Sequence, residues 1–102
     1  MKSLPSHLVA YKRTPEFTQD TVPNGLLSAH RTKVGAWGKI VVLSGQLTYR
    51  ILEPEVEEIP LGPGVEGIVE PTVSHEVVPQ PGVRFYVEFY HAAEPRDAPG
   101  SA

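Results

Sequence analysis

Four histidines are the residues of this chain best suited to chemistry, and two of them, His30 and His75, fall inside stretches that read as strands. Imidazole titrates near neutral pH, exchanges hydrogen bonds in either sense, and is the usual protein ligand for zinc, iron, copper and nickel. Two rings alone hold a metal weakly. A third ligand, normally a carboxylate, completes a facial set with positions left open for water or substrate. The competing reading is structural: a core histidine that donates to a backbone carbonyl and does nothing more. His7, in a Pro-flanked stretch, and His91, closing the last strand, read as surface and rim residues.

His30 and His75 lie in opposite halves of the chain, so only a closed arrangement of strands brings them together. The sequence has the punctuation for one. Its 11 prolines and 9 glycines recur at intervals too short for long helices and bound short Val-rich segments. "LVAYKR" (8–13) alternates as a first, edge strand between prolines. "LLSAHRTK" reads as a strand with Ser28, His30 and Thr32 on one face. Two strands over about 36–43 and 46–52 meet at Ser44-Gly45, a hairpin signal, and the second alternates Leu47, Tyr49 and Ile51 against Gln46, Thr48 and Arg50. The acidic "EPEVEEIP" reads as an exposed end or edge. "SHEVVP" and "VRFYVEFYH" supply the last two strands. The whole predicts an all-β sandwich or barrel of seven to nine short antiparallel strands in one domain over residues 1–93, with a flexible tail over 94–102.

Bulk properties exclude several classes. At 102 residues the chain suits one core, and without cysteine it has no disulfide, thiolate metal site or cysteine nucleophile. A net charge of −3 gives no footprint for nucleic acid, the nearest basic patch being the sparse Arg31, Lys33 and Lys39. No window has the apolar length of a membrane helix and no signal-like segment opens the chain, so a cytoplasmic protein that binds neither nucleic acid nor membrane is expected.

The motifs sharpen this. "GVEGIVEPTVSHEV" resembles the second motif of the cupin family through Gly64, Pro71 and His75, and "LLSAHRTKVGAWGKIVVLSGQL" resembles the first through His30 and Gly45. With "TVPNGLLSAH" before and "VEFYH" after, residues from about 5 to 93 look like the small TehB/YeaR-like cupins of tellurite-resistance and nitrate-responsive bacterial proteins. The resemblance implies a cupin-type jelly roll and a divalent metal (zinc, iron, nickel or manganese) on His30 and His75. It also implies a homodimer and a small-molecule ligand, with anions among the candidates. Thr32 and Gly38 stand where that pattern has a second histidine and a glutamate, and Glu70 where it has proline, so a third ligand must come from elsewhere.

Period 2 on the last strand puts Arg84, Tyr86, Glu88 and Tyr90 on one face and Phe85, Val87, Phe89 and His91 on the other. Taking the polar face as the pocket wall selects Glu88 as third ligand, with Thr32 and Tyr86 lining the pocket; Glu76 and Glu70 are lesser candidates. The alternative makes that face an outer one with a Glu88–Arg84 pair. Trp37 is assigned to the core or a subunit contact. The function expected is a small metal-binding cupin for small-molecule binding or stress response, with a metal-dependent enzyme such as a dioxygenase, or a metal-free binding or interaction module, as alternatives. Whether it is an enzyme stays open. No glycine-rich loop after a strand suits S-adenosylmethionine, so methyl transfer by this chain is not expected.

Overall fold

The computed structural model describes residues 1–93; the tail expected over 94–102 lies outside the described residues. The chain is all-β, with eight strands among the described residues: β1 (Leu8–Arg13), β2 (Phe17–Thr18), β3 (Trp37–Ser44), β4 (Leu47–Ile51), β5 (Glu57–Leu61), β6 (Gly67–Val69), β7 (His75–Pro79) and β8 (Arg84–Ala92). They form two antiparallel sheets. The larger runs β1-β8-β3-β6, with β2 pairing beside β1 on β8; the smaller runs β5-β4-β7. No described helix is long and apolar enough to cross a membrane.

Alternation decides which faces meet. On β4, Leu47, Tyr49 and Ile51 are buried while Thr48 and Arg50 are not; on β3, Gly38, Ile40 and Val42 are buried between half-exposed neighbours. On β8 the apolar set Phe85, Val87 and Phe89 points inward, Phe85 being fully buried. These side chains fill the space between the sheets in one cluster with Leu61, Val69, Val77 and Val83. Tyr49, fully buried there, donates its hydroxyl to the carbonyl of Ile68 at 2.9 Å, which satisfies its one polar group. Burial pushes that phenol's pKa well up. Gly67 is there for space: a Cβ would lie 2.8 Å from Leu61 Cδ1 and 3.0 Å from Tyr49 Cδ2.

Three expectations change. The Ser44-Gly45 turn does not close a hairpin, because β3 pairs with β8 and β6 while β4 pairs with β5 and β7. It is a corner that carries the chain from one sheet to the other. Gly45 takes φ +73°, and a Cβ there would meet backbone of Val83 at 2.7 Å, so no other residue makes this corner. The stretch expected as a strand around His30 opens instead with a single 3-10 turn, Asn24–Leu27, after which His30 makes an isolated bridge. Of the two places expected for Trp37, the core is not where it lies, since it is half-buried on the outward face of β3.

Candidate functional site

His30 and His75 do come together, by backbone pairing. The His30 N–H donates to the His75 carbonyl at 2.7 Å and the His75 N–H to the His30 carbonyl at 2.9 Å. A reciprocal antiparallel pair of this kind puts both side chains on one side of the sheet. The rings pack edge to face, centroids 5.3 Å apart and planes at 83°. They are therefore neighbours at the rim of the smaller sheet, not groups facing each other across a barrel.

A latch holds this edge. Arg31 forks onto Glu53, with Nη2 donating to Oε2 at 3.1 Å and Nη1 pairing with Oε1, and Nη1 also donates to the Thr72 carbonyl at 2.7 Å. Glu53 Oε1 accepts from the Ser74 N–H at 3.1 Å, and the Thr72 N–H donates to the Thr32 carbonyl at 3.1 Å. The residues after His30, the end of β4 and the segment entering His75 are thus tied at one point. The Arg31 hydrogen bond and then the Ser74 amide hold the Glu53 carboxyl below its ordinary pKa.

His75 is 4% exposed. Its Nδ1 lies 3.1 Å from the Val73 carbonyl. A carbonyl only accepts, so this bond places the proton on Nδ1 and leaves Nε2 as an acceptor. Desolvation dominates its titration and lowers the imidazole pKa; the Val73 bond opposes this, and the neighbouring His30 adds to the lowering.

Between the sheets, beside the two rings, is a cavity of about 20 Å³. Leu26 from the 3-10 turn, Val69, Val87 and Phe89 make its walls mostly apolar, with Thr32 and Gly38 on the line as well. Thr32 donates its hydroxyl to the Ala36 carbonyl at 2.8 Å, closing a local turn. Gly38 keeps the space open, since a Cβ there would sit 3.2 Å from Val69 Cβ and 3.7 Å from Val87 Cγ1. Two shallower hollows of about 220 and 260 Å³ open to the outside, each lined by Lys12, His30 and Phe89.

Glu88 and Tyr86 are not in this site. They share the outward face of β8, because the Phe-Val-Phe face is the one that continues from core to cavity. Glu88 accepts from Tyr90 Oη at 2.6 Å and Arg13 Nη2 at 3.1 Å, with Lys39 Nζ at 3.8 Å. The Tyr90 bond, then Arg13, keep its carboxyl below the usual range. Tyr86 lies under the Arg13 guanidinium, 4.4 Å from its ring centroid. Of the lesser candidates, Glu76 pairs with Arg50 and Glu70 with Lys2 at 3.6 Å. His91 is at the rim, its ring 4.4 Å from Tyr11. Phe89, Val87 and Lys12 are absent from the candidates that the sequence suggests. The alternation on β8 holds the signal for the first two: in a sandwich the pocket wall is an extension of the apolar face. Lys12, on an edge strand, gives no such signal.

Residues 12–87 match the TehB-like domain family. The chain belongs to that family. Two curated relatives, both called "Probable S-adenosyl-L-methionine-dependent methyltransferase TehB" from Haemophilus influenzae, are 43% and 41% identical over 44 residues. Those residues are 43% of this chain but 15% of the relatives, so the matched stretch spans a small part of their length. The crystal structure of TehB from Haemophilus influenzae superposes with TM-score 0.78 and 33% identity, covering 85% of this chain and 32% of that one. An E. coli (strain K12) protein of known structure shares the fold with TM-score 0.83, over 92% of this chain and all of its own, at 21% identity.

These relatives overturn the metal-binding cupin function, the dioxygenase alternative and the divalent-metal cofactor. They carry the name of S-adenosylmethionine-dependent methyltransferases, and the described residues of this TehB-like domain hold no group of three His, Cys, Asp or Glu placed to bind a metal. The physical reason is the face of β8: Glu88 is held by Arg13 and Tyr90 on the far side of the sheet, leaving two imidazoles and an otherwise apolar wall.

Proposed function

We propose that this chain is a methyltransferase-related β module, one that serves S-adenosylmethionine-dependent methyl transfer without itself holding S-adenosylmethionine. The observation that carries the reading is the match of 85% of this chain to 32% of Haemophilus influenzae TehB, which leaves most of that methyltransferase outside the shared module. The pocket supports the second half. S-adenosylmethionine combines a nucleoside, an amino-acid end and a sulfonium cation, and ligands of that size occupy pockets of about 300 Å³ or more. Here the enclosed space is about 20 Å³ and apolar, and the hollow beside it is lined by Lys12 and Lys33, which repel a sulfonium. The residues around His30 and His75 do not fit that cofactor, and no step of methyl transfer is routed through them.

Equilibrium dialysis of this chain with labelled S-adenosylmethionine is expected to show no saturable uptake up to about 1 mM. Removing the matching segment from Haemophilus influenzae TehB is expected to lower kcat/KM for methyl transfer by about tenfold or more. Stoichiometric uptake by this chain, or full activity without the segment, would overturn the proposal.

A further inference from the structure

Among the described residues six of the eight Lys and Arg side chains are paired, and the two exceptions share one place. Of the nine Lys and Arg residues in the chain, Arg96 lies outside the described residues. Lys2, Arg13, Arg31, Lys39, Arg50 and Arg84 each reach a carboxylate. Lys12 and Lys33 reach none among the described residues, although acidic residues outnumber basic ones and the net charge is −3. Both line the hollow of about 220 Å³ that also holds His30, and no described carboxylate lines it.

The rest of that hollow is not polar in the same way. Phe89 lies along it with Lys12 Nζ 5.9 Å from the ring centroid, and Tyr11 adds a second aromatic, 6.5 Å from Phe89 between centroids. His30 and Phe89 are common to this hollow and the apolar cavity beside His75. Thr32 spends its proton on the Ala36 carbonyl, so its hydroxyl brings no free donor to the mouth. An anionic head and a compact apolar body are what such a hollow recognises, with one ammonium group over an aromatic ring and a second on its lining.

We propose that this hollow binds a small organic carboxylate, its head held by Lys12 and Lys33 and its apolar body against Phe89 and His30. The site goes beyond the methyltransferase reading and does not depend on it, because binding is read on this chain alone with no methyl transfer.

The test is titration of the full chain, followed by ¹H–¹⁵N NMR at low salt, with benzoate, neutral benzyl alcohol and inorganic phosphate as probes. Benzoate is expected to saturate, with shifts gathered at Lys12, His30, Lys33 and Phe89, and to weaken about tenfold between roughly 25 and 250 mM NaCl. Benzyl alcohol and phosphate are each expected to bind at least about tenfold more weakly, one lacking the head and the other the body. The Lys12→Gln, Lys33→Gln double variant should lose benzoate by about tenfold or more, whereas Lys2→Gln, which removes a paired lysine, should bind as the parent. Unchanged spectral dispersion certifies that each variant is folded. No saturation by benzoate, equal binding of benzyl alcohol, tighter binding of phosphate alone, or an unaffected double variant would each overturn the proposal.

Discussion

His75 carries a stability cost that depends on pH. Burial lowers its pKa from the ordinary 6.5, so the unfolded chain takes up a proton before the folded one does. Stability is therefore full above about pH 6.5 and declines as pH falls toward the lower folded value, with a slope of at most about 1.4 kcal/mol per pH unit from this one group. Urea midpoints from pH 7.5 downward should show that fall, and His75→Leu should flatten it; an unchanged slope would mean that His75 is not desolvated as described. Gly38 makes the complementary point about space. Gly38→Val presses on Val69 and Val87 and is expected to cost about 1–3 kcal/mol in urea unfolding. By contrast, Glu88→Gln should leave the imidazole ¹⁵N shifts of His30 and His75 unmoved, because Glu88 sits on the opposite face of β8. Spacing and type make the two histidines legible as a pair. The choice of Glu88 as third partner fails because period 2 separates two faces without saying which is inner, and a polar face suits a pocket wall as well as a solvated surface. In a sandwich this small, the inner face is the one with Phe85 and Val87.

Among elements, strand positions are readable in the sequence and strand partners are not. β1, β4 and β8 fall where alternation puts them, and β5 is the edge strand its acidic residues suggest. The corner at Gly45 is hidden because a tight turn with a left-handed glycine serves a hairpin and a sheet change equally well, and local sequence does not tell them apart. The 3-10 turn at Asn24–Leu27 is too short to leave a helical period. What positions the histidines is a set of contacts between segments distant in sequence. Arg31, Glu53, Thr72 and Ser74 fasten the edge on which His30 and His75 pair. Arg31→Ala is expected to speed hydrogen exchange at the His30 and His75 amides by about tenfold or more while exchange in the β3–β8 ladder stays as in the parent. Equal acceleration in both places would show that the latch is not local. The core between the sheets should respond differently: Phe85→Ala, at a fully buried position, is expected to cost about 3–5 kcal/mol and to shift every probe of unfolding together.

At the scale of the whole molecule, the same two-sheet sandwich recurs as the full length of an E. coli protein and as about a third of a methyltransferase. The fold alone therefore does not carry a reaction, and function rests on the site and its context. Here the site is two imidazoles on an apolar wall, with two lysines at its mouth that meet no carboxylate among the described residues. Among relatives of known structure is TehB, of which this chain covers 32%. Sequence motifs lead to the family and, through its histidines, to a metal; the donor set in three dimensions and the relatives' name overturn the metal, and the methyltransferase-related module is the reading proposed in its place. The measurement that tests the central claim most directly is methyl transfer by Haemophilus influenzae TehB whose matching segment has been exchanged for residues 1–93 of this chain. A folded exchange protein that recovers kcat/KM to within about threefold of the parent is the result predicted. A folded exchange protein no more active than the variant lacking the segment would contradict it.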